Sequence, residues 1–363
     1  MNRVMRILSV VLLLVSGTGC SRDETRFGTD AADDAKSNTR ALAVERETSG
    51  ATLGRVGYLV VSDSLLWVSD LAGDPWLHVF SQRTGQLLRS LGVKGSGPGD
   101  FRDVGALLPT NDSTSDVIVF DRATLRLTRV RLQPIDSVGN VAGSAAVAIW
   151  SMPTSPRVRT LGKIQAGYVG WASAESAAVL VRFDSGGAQM GSTPTALLGG
   201  NSQRLLDRLS GSASHHYCTS RLASEFAVAF RHVGRIEIRD SNAHLVRLAD
   251  VPYPQAVSGP LALSPNVPRP PRWPQYSSCV ATGDRVLAVH SGLASAVSAN
   301  DSLRPDQPGE LHVFDWTGHL LARLALPVGV ERIALSADKE WLIGGGSDEP
   351  VLRWMRLPRG ILP

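Results

Sequence analysis

Cysteine is the scarcest informative residue here, three in 363, and that scarcity excludes a disulfide-dense scaffold or a cysteine-rich zinc module. Helical periodicity is almost missing as well, apart from a short piece at Ser202 to Leu209, which argues against a helix bundle or an alternating α/β architecture. No apolar run approaches the roughly 20 residues that a bilayer-crossing helix needs. Lys and Arg never gather into a patch with interleaved aromatics, so nucleic-acid binding has no electrostatic footprint. The net charge of +4 falls to about +2 once Arg3 and Arg6 are set aside, and names no partner. His-x-x-x-His and Cys-x-x-Cys are absent and no clustered-carboxylate pattern supports a metal site, so no metal site and no cofactor is expected. His215 and His216 are the only adjacent histidines, and neighbours on a strand point to opposite faces and do not chelate one ion. Neither Gly191-Ser192 nor Gly200-Asn201-Ser202 supplies the G-x-S-x-G elbow of a serine hydrolase.

What is there begins at the amino terminus. Arg3 and Arg6 precede the apolar run Ile7 to Val15, and Ser16-Gly17-Thr18-Gly19-Cys20 follows. A basic flank, a short apolar core and small residues together read as an export signal. A cysteine directly after small residues resembles the bacterial lipobox, with Gly17 where that pattern prefers Leu. The resemblance implies cleavage after residue 19 and lipidation of Cys20. Ser21 is not the Asp that retains many lipoproteins in the inner membrane, so an outer-membrane anchor facing the periplasm is expected. Residues 20–50 are polar, small and mixed in charge, too poor in apolar surface to offset the entropy of ordering, and read as a disordered tether. Residues 51–363 show no break in composition and form one domain.

Within that domain one phrase recurs. WLHVFSQRTGQLLRSL from Trp76, DVIVFDRATLRLTRV from Asp116, AVLVRFDSGGAQMGS from Ala178, GRIEIRDSNAHLVRL from Gly234 and ELHVFDWTGHLLARL from Glu310 each give a short strand, a polar turn and a second strand. A sixth, PVLRWMRLP from Pro350, is cut off by the end of the chain. Alternation in Leu77-His78-Val79-Phe80 and its counterparts is the period-two signal of strands. Asp121, Asp184, Asp240 and Asp315 fall at one equivalent position, where a side chain can accept bonds from amides two residues on and start a tight turn. Further hairpins precede several copies, at Tyr58 to Val68, Ser278 to Val289 and Arg332 to Ile343. Each unit is thus a four-stranded meander, and repetition on this scale marks an array of units that cannot bury their faces alone. Six third-strand landmarks, Phe80, Phe120, Phe183, Arg239, Phe314 and Trp354, predict an all-β six-bladed β-propeller of four-stranded antiparallel blades.

Two phrases carry a family resemblance. Gly95-Ser96-Gly97-Pro98-Gly99-Asp100-Phe101 is similar to the G-x-G-P-G-E-F phrase of TolB-like and NHL-like six-bladed propellers among bacterial lipoproteins, with Asp100 in place of Glu. Val313-Phe314-Asp315-Trp316-Thr317-Gly318-His319 resembles their V-F-D-W-D/N-G-N phrase. The resemblance implies the propeller fold and adds no reaction. Physically, Gly97-Pro98-Gly99 forces a turn and Phe101 is an apolar plug between blades. A Gly-rich loop with no helix after it is a poor phosphate cradle.

Loop lengths nominate one face. In a meander, the connections between strands one and two and between three and four leave one rim, and the others leave the opposite rim. The long insertions at Gly95 to Asp103, Gln133 to Ala145, Pro252 to Pro274 and Ser291 to Gly309 are assigned to this second rim; loops of such length are commonly functional. The Pro252 to Pro274 segment holds eight prolines with Trp273 inside it and Tyr276 just beyond it. Prolines at that density stiffen a loop, either as a lip offering Tyr253, Trp273 and Tyr276 to a peptide or glycan, or as a spacer over neighbouring blades. Cys218 and Cys279 occupy similar places before the second strands of adjacent blades; the sequence leaves open a disulfide or two buried thiols. The resulting expectation is an envelope-anchored propeller that binds a protein, peptide or glycan through its long-loop face, without catalysis. The alternative is an exported hydrolase or lyase acting on a sugar or lactone.

Overall fold

A computed structural model describes residues 40–48, 53–97, 99–110, 115–132, 144–154, 157–173, 178–194, 215–219, 224–230, 235–252, 276–290, 309–346 and 351–363. Two short strands come first, β1 (Arg40–Ala41) and β2 (Val44–Glu47). Blade one is β3 (Val56–Ser62), β4 (Leu65–Asp70), β5 (Leu77–Ser81) and β6 (Leu87–Leu91). Blade two is β7 (Val104–Pro109), β8 (Val117–Asp121), β9 (Arg126–Leu132) and β10 (Ser144–Ser151). Blade three is β11 (Arg157–Ile164), β12 (Gly167–Ser173), β13 (Ala178–Phe183) and β14 (Gln189–Pro194). Blade four is β15 (His215–Thr219), β16 (Glu225–Phe230), β17 (Ile236–Asp240) and β18 (Leu245–Leu248). Blade five is β19 (Tyr276–Ala281), β20 (Arg285–His290), β21 (Glu310–Asp315) and β22 (Leu320–Ala325). Blade six is β23 (Arg332–Leu335), β24 (Trp341–Gly345) and β25 (Arg353–Arg356), with β2 as its fourth strand.

Each blade is an antiparallel meander in chain order. The first strands β3, β7, β11, β15, β19 and β23 touch one another in that sequence, and β23 returns to β3. A closed ring of six inner strands follows: the chain is a six-bladed β-propeller. Its interior is six wedges rather than one core. Leu77, Phe101 and Val119 fill the junction of blades one and two, Phe120, Tyr168 and Phe183 the next, and Trp171, Phe226 and Phe230 the third. Phe314 and Ile236 pack between blades four and five, Leu287 and Leu342 between five and six, and Phe80 against Trp354 and Ile343 closes the circle. Each such side chain removed from water contributes about 1.5–3 kcal/mol.

The structure corrects the sequence reading at three places. Residues 40–47 are strands rather than tether: β2 pairs antiparallel with β25 and supplies the strand that the sixth repeat lacks, while β1 adds in parallel to the outer edge of β22. Leu42 is buried between them, so this segment carries the apolar content that a propeller edge demands. Phe120 lies on the second strand of its blade, not the third. The turn at Asp121 therefore sits on the rim opposite those of Asp184, Asp240 and Asp315. By the same shift the connection over 133–143 joins strands three and four and leaves the short-turn rim. The long rim gains instead the connection over 195–214, between β14 and β15. The piece at Ser202 to Leu209 lies outside the described residues.

Candidate functional site

The segments 195–214, 249–275 and 291–309 all leave or enter blades four and five at the long-loop rim. Directly beneath, blade five gathers its polar side chains. Glu310 and His312 are two apart on β21 and so share a face. His290, the last residue of β20, stands opposite Glu310 in the register; Arg323 of β22 stands opposite His312, and Tyr276, the first residue of β19, opposite His290. Four neighbouring strands thus deliver one group each, or two, to one spot. The face is the one turned to blade four, shared with Ala288 and Phe314.

The groups interlock. His312 Nε2 lies 2.9 Å from Glu310 Oε2, and its Nδ1 lies 2.9 Å from the Tyr276 hydroxyl. Arg323 donates to Glu310 Oε1 at 2.6 Å and to Oε2 at 2.8 and 3.0 Å. The His290 and His312 rings stack at 5.0 Å with 13° between their planes, and Tyr276 meets both edge-on. His290, His312 and Tyr276 are buried, Glu310 only partly. Burial pushes His290 down to about 3, helped by the neighbouring His312 and opposed by Glu310. Burial also lowers His312, against the pull of its bond to Glu310. For Glu310, burial acts upward, but the bonds from His312 and Arg323 outweigh it and hold the carboxyl at about 2. At neutral pH the set is two neutral imidazoles, a carboxylate and a guanidinium. One donor atom from each of His290, Glu310 and His312 lies within 4.8 Å of the others, a spacing at which the three can share a cation.

Sequence spacing concealed this set, because His290 and Glu310 are separated by residues 291–309 and only the register rejoins them. The one local signal was Glu310-Leu311-His312, an i, i+2 pair on a strand. Tyr276, expected as a stacking surface on the lip, is instead 1% exposed, with its hydroxyl on His312. It begins an inner strand, where its ring has two blades to pack against. Tyr253, Trp273 and Cys20 lie outside the described residues. Cys218 of β15 and Cys279 of β19 are disulfide-bonded in the structure, with Cα atoms 5.4 Å apart, so inner strands of adjacent blades come close enough to bridge.

The aspartates act on the backbone. Asp184 accepts from the Ala188 amide, Asp240 from Asn242 and His244, and Asp315 from His319. Asp121 accepts from the amides of Arg102, Asp103, Ala123 and Thr124. Its true counterpart is Asp70, at the end of β4, which accepts from Gly54, Arg55, Ala72 and Gly73. His290 occupies that second-strand position in blade five. Phe101 is fully buried between blades one and two, and a side chain at Gly92, whose φ is +78°, would meet its ring at 2.8 Å.

Comparison with solved structures agrees with the fold. A member of the DUF4221 family from Bacteroides vulgatus is similar over 87% of this chain and 97% of its own, with a TM-score of 0.50 and 10% identity. A chain of the mitotic checkpoint complex is similar with a TM-score of 0.48 at 13% identity, covering 88% of this chain and 97% of that one. The WD40 domain of Neurospora crassa Pan2 gives 0.43 at 11% identity over 84% of this chain and 89% of its own. The likeness is one of fold alone. No family model matches the chain, and no curated protein matches it by sequence.

Proposed function

We propose that this protein is an envelope-anchored propeller lipoprotein, held through Cys20 and working as a binding or scaffolding module through its long-loop rim. The observation that carries the reading is that three long connections, 195–214, 249–275 and 291–309, have their ends at one rim of blades three to five. A rigid ring presenting clustered loops is a common design for partner recognition. The short apolar run before Cys20 and the two phrases similar to TolB-like and NHL-like lipoproteins support an anchored, periplasm-facing protein. The partner is a protein, peptide or glycan, taken up against the proline- and aromatic-rich segment that holds Tyr253 and Trp273. The hydrolase or lyase reading is not favoured: His290, Glu310 and His312 sit on the second and third strands of blade five, on the face turned to blade four, with Tyr276 of the inner strand β19 packed against both imidazoles.

Deleting Val257 to Pro268 leaves every strand intact and removes the middle of the longest insertion. The trimmed protein should fold with an unchanged far-ultraviolet spectrum and lose partner capture from envelope extracts. Equal recovery of the same partners by intact and trimmed protein would overturn the reading. Membrane association that persists unchanged in a Cys20→Ser protein would overturn the anchor.

A further inference from the structure

We infer that His290, Glu310 and His312 form a binding site for a borderline divalent cation of the zinc type, which ties together the two ends of the 291–309 connection. Two imidazole nitrogens and one carboxylate oxygen are the donor set that suits first-row transition metals rather than calcium or magnesium. Zinc holds such donors at about 2.0–2.2 Å, which in tetrahedral geometry puts them roughly 3.3 Å apart. His312 Nε2 and Glu310 Oε2 are already at 2.9 Å, and all three donors fit within 4.8 Å. Adjustments of side chains alone would therefore close the site.

The partners around the donors fit the same role. A metal-bound imidazole usually gives its other N–H to an oxygen that fixes the ring. The Tyr276 hydroxyl lies 2.9 Å from His312 Nδ1 and is placed to accept that N–H. Without a cation, Nε2–H donates to Glu310 and Nδ1 accepts from Tyr276. With one, the cation takes Nε2, the proton resides on Nδ1 and the tyrosine hydroxyl turns to accept, so His312 stays neutral throughout. Arg323 donates twice to Glu310 Oε2 and once to Oε1, so the carboxylate keeps a lone pair on Oε1 to share. Glu310, partly exposed at the rim, gives the route of access.

The location explains what the cation would do. His290 ends β20 and Glu310 begins β21, so the ion would close the loop at its base as a clip closes any long connection. This inference is independent of partner binding on the rim.

The test uses the full chain carrying Cys20→Ser, so that with Cys218 and Cys279 bonded no free thiol competes. Titration calorimetry should find one Zn2+ per chain, and Zn2+ but not Mg2+ should raise the melting temperature. Co2+ should develop the intense visible bands of a tetrahedral site with nitrogen and oxygen donors. His290→Gln and Glu310→Gln should each weaken Zn2+ at least about tenfold, and Tyr276→Phe, which keeps all three ligands, should weaken it less. Replacing the exposed His244 and His319 by Gln together should change nothing. Absence of stoichiometric Zn2+ binding by the parent protein overturns the inference. So does only the faint spectrum of octahedral Co2+, or binding that survives His290→Gln and is lost with His244 and His319.

Discussion

At the scale of single residues, the most telling side chains are the two aspartates that end second strands. Asp70 is buried and accepts four backbone amides, two from the approach to its own blade and two from the turn beyond it. Asp121 repeats that pattern in blade two. Removing either acceptor strands several amides at once, so Asp70→Ala or Asp121→Ala should cost about 3 kcal/mol or more in urea unfolding. Asp184→Ala, at an exposed turn, should cost about 1 kcal/mol or less. Beside Asp70, burial lowers His78 below its ordinary 6.5, with the Asp70 carboxylate 3.8 Å away opposing it. A histidine kept neutral by the fold binds fewer protons than in the unfolded chain. Its contribution is therefore full above pH 6.5 and is lost as pH falls toward the lowered value. For Asp70, burial raises the pKa but the backbone amides lower it further, below 3.8, so its contribution is lost only at more acid pH. Unfolding midpoints at pH 7, 5 and 4 should thus fall less steeply in His78→Gln than in the parent.

At the scale of elements, the period-two alternation was fully legible. Leu77 to Phe80 and Leu311 to Phe314 became third strands as read. Val117 to Val130 forms the hairpin that its alternation predicts, one strand nearer the channel than the third-strand station expected of Phe120. Its local pattern is the same at either station; the preceding β7, which pairs with β8 across residues 110–116, fixes the station. The His290, Glu310 and His312 set is hidden for a different reason, because only the strand register brings His290 to Glu310 across residues 291–309. The bond between Cys218 and Cys279 joins the inner strands of blades four and five across a separation of 61 residues. In the chain-entropy account a loop of that size is worth roughly 4 kcal/mol. Cys279→Ser should lower the unfolding free energy by about 2–4 kcal/mol and leave the other four blades' spectra intact.

At the scale of the whole molecule, the ring is closed by its two ends. β2 pairs with β25, Arg46 lies against the Trp341 and Trp354 rings, and Arg353 pairs with Glu47. Leu42 adds a buried side chain to the same seam. A protein beginning at Ala51 should be at least about 3 kcal/mol less stable than one beginning at Ala31, because it loses a buried leucine and a full edge strand; thermal unfolding of the two would measure it. The seam also fixes an order in time. A chain made from its amino end produces β2 some 306 residues before β25, so β2 must wait for this partner until the other five blades are made. A message truncated before Arg353 would leave β24 and the Phe80 wedge open and β2 with nothing to pair, however complete the other blades. Whether the ring can shut thus depends on β25 having been made, and a product broken before it shows proteases two bare strand edges.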